Sequence, residues 1–169
     1  MLDSSTKELF QKIPNWYAQE SLKDLFECFD AAVVLRNQAN AEGPESVKEG
    51  LIKFGRDLTT LDANLHELGI GLIQFLQKHG TRDDFYPSLG GVMFELASLI
   101  ATFAECSQLA GEVVKAIEGE RITPEEVVNQ LSLAKMKLAS QVLRLEIAER
   151  LVGMPTDSRG GDVGGPDDD

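Results

Sequence analysis

The stretch Val47–His79, VKEGLIKFGRDLTTLDANLHELGIGLIQFLQKH, decides the fold. Val47, Leu51, Phe54, Leu58, Leu61, Leu65, Leu68, Leu72 and Phe75 alternate spacings of four and three. That is the heptad geometry of a helix burying one continuous seam against other helices, and His79 continues it up to Gly80. In this frame Gly55 and Gly69 fall at position e, and Gly50 and Gly71 at position g. A helical glycine costs about 1 kcal/mol relative to alanine, so the four are expected to be offset by close approach of neighbouring helices.

The opposite side of this helix is mixed. Glu49, Lys53 and Arg56 cover the outer face of its first half, whereas Ala63, His66, Ile70 and Ile73 form a second apolar stripe at positions f and b of its second half. A helix that is two-faced at one end calls for a second partner there.

Working outward, punctuation marks the remaining helices. Ser5-Thr6-Lys7-Glu8 is a capping-box pattern that starts a short first helix, which Pro14 is expected to end. A second helix runs from Asn15 or Ser21 to Ala41, before Gly43-Pro44, and the third spans Glu45 to His79. The connection TRDDFYP leads to a fourth, from Ser88 to Glu118, with a seam of Leu89, Met93, Leu96, Ile100, Phe103, Ala110, Val114 and Ile117. Gly90, Ala97, Ala104 and Gly111 flank that seam and are expected to meet the glycines of the third helix. Thr123-Pro124-Glu125-Glu126 signals the start of the last helix: threonine caps, proline suits the first turn, and the acids favour the positive end of the dipole.

The last helix has a seam of Val127, Leu131, Ala134, Leu138, Leu145, Ala148 and Val152, interrupted by Gln141, and it ends at Gly153. On its outer side Met136, Leu143, Ile147 and Leu151 make another apolar stripe. Four long helices on short connections predict an all-α, antiparallel up-down-up-down four-helix bundle, with a short N-terminal helix and a flexible acidic C-terminal tail. Residues 1–153 are expected to form the bundle, and residues 154–169, rich in Gly and Asp, the tail. In this topology the third and last helices are parallel, so both outer stripes belong to one end, with Trp16, Tyr17, Phe85, Tyr86, Leu89 and Phe94. Leu9, Phe10 and Ile13 of the short first helix are expected to cover one stripe and leave the other open.

Composition narrows the function. The chain of 169 residues is 43% hydrophobic and carries a formal charge of −12, of which −4 lies from Gly153 onward. An acidic surface disfavours nucleic acid and anionic membranes and favours solubility or a basic partner. Cys28 and Cys106 are far apart and lack metal-ligand or redox spacing, so both read as small hydrophobes in a reducing compartment. The polar, acidic start and the lack of an uninterrupted apolar run of about 20 residues point to the cytoplasm.

No motif carries chemistry. His66 and His79 are the only histidines, and the paired Glu-x-x-His motifs of carboxylate-bridged metal bundles are missing. LGIGLIQ has neither a preceding strand nor the third glycine of a phosphate-binding loop. The expectation is therefore a non-enzymatic interaction or assembly protein without metal or cofactor. It would bind a protein partner or a second copy through Ala63, His66, Ile70, Ile73, Met136, Leu143, Ile147 and Leu151. Two alternatives come from other classes: a bundle that binds a hydrophobic ligand or a membrane, and an acidic inhibitor or nucleic-acid mimic that binds a basic protein.

Overall fold

The computed structural model describes residues 4–79 and 86–153, with side chains described over 16–78 and 91–151. The acidic tail and the 80–85 connection lie outside the described residues, as do the side chains of Leu9, Phe10, Ile13, Phe85, Tyr86 and Leu89.

Four long helices carry the fold: α1 (Ser4–Glu42), α2 (Lys48–His79), α3 (Tyr86–Glu118) and α4 (Pro124–Gly153). A single 3-10 turn, Pro44–Val47, joins α1 to α2. Gly43 before it has φ 94°, a left-handed conformation that only glycine adopts at little cost. At the other sharp connection Thr123 and Glu126 form a reciprocal capping box. The Glu126 amide donates to Thr123 Oγ1 at 3.3 Å, and the Thr123 amide donates to Glu126 Oε2 at 2.8 Å.

Each helix packs on its neighbour in sequence, and α1 closes the ring against α4. Cross-helix contacts fix every neighbouring pair as antiparallel. Asn64 donates to Asp24 between α2 and α1, Ser107 donates to Asp62 between α3 and α2, and Lys137 reaches Glu105 at 3.2 Å between α4 and α3. Between α1 and α4, Gln19 donates to Glu146 at 3.2 Å and Lys135 Nζ lies 4.2 Å from the Phe29 ring centre. The architecture is an all-α, up-down-up-down four-helix bundle in which α2 and α4 are parallel and occupy opposite corners.

The α2 seam is the core: Phe54, Leu58, Leu61, Leu65, Leu72 and Phe75 are all buried. Leu25 and Ala32 of α1, Leu96, Leu99 and Phe103 of α3, and Leu131, Leu138 and Leu145 of α4 complete it. Gln141 does not interrupt the α4 seam. It is buried and donates to Glu95 Oε2 at 2.7 Å and to the Glu95 carbonyl at 3.1 Å, which satisfies its amide inside the α3–α4 interface.

Three expectations change. The chain does not stop at Pro14: α1 is one helix through it, so the lost N–H and the ring clash of a mid-helix proline do not end the helix here. The separate short N-terminal helix is therefore the first part of α1 and prolongs it. The buried face of α3 is also rotated: Val92, Leu99, Cys106 and Val113 are buried, while Met93, Ile100 and Val114 are half-buried. This helix packs on both α2 and α4, so its buried arc is centred between them, and Ala97 and Ala104 are left exposed.

The glycines divide in two. A Cβ on Gly71 would lie 2.7 Å from Tyr17 Oη, and one on Gly50 2.7 Å from Leu35 Cδ2, so the g positions admit α1 closely. A Cβ on Gly69 would lie 4.0 Å from Phe103, and one on Gly55 3.5 Å from Ile117, ordinary contact distances that do not demand glycine.

Candidate functional site

Every residue of the two expected stripes is exposed: Ala63, His66, Ile70 and Ile73 on α2, and Met136, Leu143, Ile147 and Leu151 on α4. Ile70 is 43% exposed, Leu143 56% and Leu151 71%, high values for large aliphatic side chains on a packed bundle. The stripes share one end of the molecule but not one surface. They sit on helices at opposite corners, with α3 between them on one side and α1 on the other.

Because α1 continues through Pro14, the segment expected to fold across a stripe does not end there as a separate cover. Trp16, at the same end of the bundle, is exposed too.

The α2 strip is longer than its sequence suggests. Ile52 is 58% exposed and sits three heptads before Ile73 at the same b position. The full set of b and f positions from Ile52 to Gln77 reads Ile52, Arg56, Thr59, Ala63, His66, Ile70, Ile73, Gln77, and all eight are exposed. Not one of them is acidic, on a chain of charge −12. Sequence reasoning missed Ile52 because Glu49, Lys53 and Arg56 around it read as a charged outer face. The heptad frame already placed it in line with His66 and Ile73.

Beside Ile52 lies a recess of about 490 Å³ between α2, α3 and the turn that follows α3. Its walls are aliphatic, chiefly Val47, Leu51, Val114, Ile117 and Ile122, and Gly55 lies on the α2 side. Arg56 lines the recess, and among the described residues its side chain has no ion-pair or hydrogen-bond partner.

The outer face of α3 is nearly bare of charge near the α2 and α4 stripes. Gly91, Phe94, Ala97, Ala101 and Ala104 are exposed, Phe94 at 69%. With its buried seam, this makes Gly91–Glu118 a helix long and apolar enough, by length and composition, to cross a membrane, although Glu95, Glu105, Glu112, Lys115 and Glu118 all lie within it. On α4 the strip extends back to Leu133, which is also exposed.

Titratable side chains lie in or beside both strips, among them Arg56, His66 and Glu67 on α2 and Lys137, Arg144 and Arg150 on α4. In Glu149, burial, and then the neighbouring Glu146 carboxylate, push the pKa up to about 7, and its Oε1 is buried with no hydrogen-bond partner among the described residues. The Cys28 and Cys106 thiols are pushed up to about 11, chiefly by burial, so neither is a ready nucleophile at neutral pH. Asp62 accepts from Ser107 on α3, which turns that carboxylate inward. Among the described residues no three His, Cys, Asp or Glu side chains converge as a metal-binding group.

Comparison with known protein families, with curated proteins and with solved structures found no match.

Proposed function

We propose that this chain is a non-enzymatic assembly protein that self-associates, or binds a protein partner, through the exposed apolar strips of α2 and α4. The observation that carries this reading is the exposure of all eight expected strip residues on a bundle whose own core is otherwise closed. Each large aliphatic side chain left in water forgoes about 1.5–3 kcal/mol of burial, which a partner would recover. Strips on opposite corners cannot both meet one flat surface, so the protein is bivalent, as suits a component of a larger assembly. Two cysteines that are free rather than bridged, Cys28 half-buried and Cys106 buried, fit a reducing, cytoplasmic setting.

The test is a pair of single substitutions, Ile70→Glu and Ile147→Glu, compared with wild type by gel filtration with light scattering over a concentration series. At least one is expected to lower the average mass while far-UV circular dichroism stays unchanged. Equal masses for all three chains at every concentration would remove the support for this reading.

A second reading, binding of an apolar ligand, is favoured by the aliphatic recess of about 490 Å³, a size within the usual range of small-molecule sites. Saturable enhancement of an environment-sensitive apolar dye, abolished by Gly55→Leu, would support it. Enhancement that persists in Gly55→Leu would count against it.

A further inference from the structure

We infer that the α2 strip takes a second copy of this chain, in an antiparallel arrangement with its two-fold axis at Ala63; this rests on the reading of the chain as a self-associating protein. The strip is self-complementary along the length of one helix. At one end is an apolar recess beside Ile52, and at the other are two exposed aliphatic knobs, Ile70 and Ile73. Ile52 lies eleven residues before Ala63 and Ile73 ten residues after it.

When two copies pair antiparallel about Ala63, the partner's Ile73 comes level with Ile52 and fills the recess. The same contact is made a second time by symmetry, because an isologous interface repeats each pairing. Ala63, the smallest side chain of the strip, falls where the helices cross and admits their close approach. Thr59 and the partner's His66 face each other between the axis and the knobs.

Charge follows the same symmetry. Arg56 and Glu67 are both exposed, and neither side chain has a partner among the described residues. In the heptad frame Glu67, at position c, flanks the strip next to the f positions, one of which is Arg56. Antiparallel helices bring like flanks together, so Arg56 lies within one turn of the partner's Glu67, again twice per dimer. A second copy thus accounts together for a recess, its knobs and two opposite charges on either side of one alanine.

The contact is modest in extent. From Ile52 to Ile73 the strip runs about 32 Å at 1.5 Å per residue, a single-helix contact. The dimer is therefore expected to be reversible and to depend on concentration.

The experiment is a charge swap read by sedimentation equilibrium, with circular dichroism to verify folding. Arg56→Glu alone and Glu67→Arg alone each place like charges together, and each is expected to weaken the homodimer on the order of tenfold. Mixed in equal amounts, the two variants restore opposite charges at both contacts of the heterodimer, and they are expected to associate more tightly than either variant alone, close to wild type. The double variant Arg56→Glu/Glu67→Arg restores opposite charges at both contacts and is expected to dimerise as wild type does. Wild-type dimers unaffected by either single change would overturn this geometry while leaving self-association intact. A wild-type chain that stays monomeric would overturn both.

Discussion

Ile52 and Ile73 stand three heptads apart on the same exposed strip of α2, directly outside the buried seam. One helix thus carries two apolar faces in the same frame: Leu58, Leu65 and Leu72 inward, and Ile52, Ala63, Ile70 and Ile73 outward. The inner face explains the bundle. The outer face is explained by nothing among the described residues, and the proposed association would cover it.

Gly69 and Gly71 are expected to respond oppositely to alanine. At Gly69 the new methyl meets Phe103 at ordinary contact distance, so Gly69→Ala gains the helix preference and stabilises by roughly 0.5–1 kcal/mol. At Gly71 it would lie 2.7 Å from Tyr17 Oη and 3.2 Å from the ring, so Tyr17 must move and the gain is lost. Urea denaturation of the two variants checks the ordering, Gly69→Ala above wild type and Gly71→Ala at or below it.

Glu149 is expected to make stability fall between about pH 4.5 and about pH 7. Its folded pKa, raised to about 7, stands above its ordinary value of 4.5, so the unfolded chain releases this proton first and ionisation favours unfolding across that window. The group is partly exposed, and solvent screening reduces the effect to on the order of 1 kcal/mol. Glu149→Gln should therefore be more stable than wild type at pH 7.5 and nearly equal to it at pH 4.5 in paired thermal melts.

Thr123→Ala is expected to cost about 1 kcal/mol through loss of the cap on α4, with the chain still folded. Thr123→Ser, which keeps the accepting hydroxyl, should recover most of it. Chemical denaturation midpoints of the pair separate the hydrogen bond from other effects of the turn.

Much of this was legible in the residues. The α2 seam reads unambiguously because Leu and Phe alternate with polar side chains, and Thr123 and Glu126 announce the start of α4 by the groups that satisfy its free amides. The face of α3 was not legible: Met93, Leu96, Leu99, Ile100 and Phe103 are apolar nearly all round, so several heptad phases fit and only packing on both neighbours chooses among them. Pro14 likewise marks a local weakness, and whether a helix ends there depends on more than the proline itself. On the outer surface, Ile70 and Ile73 stood out because few charges surround them, whereas Ile52 was masked by Glu49, Lys53 and Arg56.

The most direct measurement is sedimentation equilibrium of the wild-type chain from low to high micromolar concentration, beside Ile70→Glu/Ile73→Glu. These two positions are exposed, so the substitutions should shift stability by no more than about 0.5 kcal/mol each. A reversible dimer is expected for wild type, and a markedly weaker one, or a monomer, for the variant at equal helicity. A wild-type chain that sediments as a single monomer at high micromolar concentration would contradict self-association through α2.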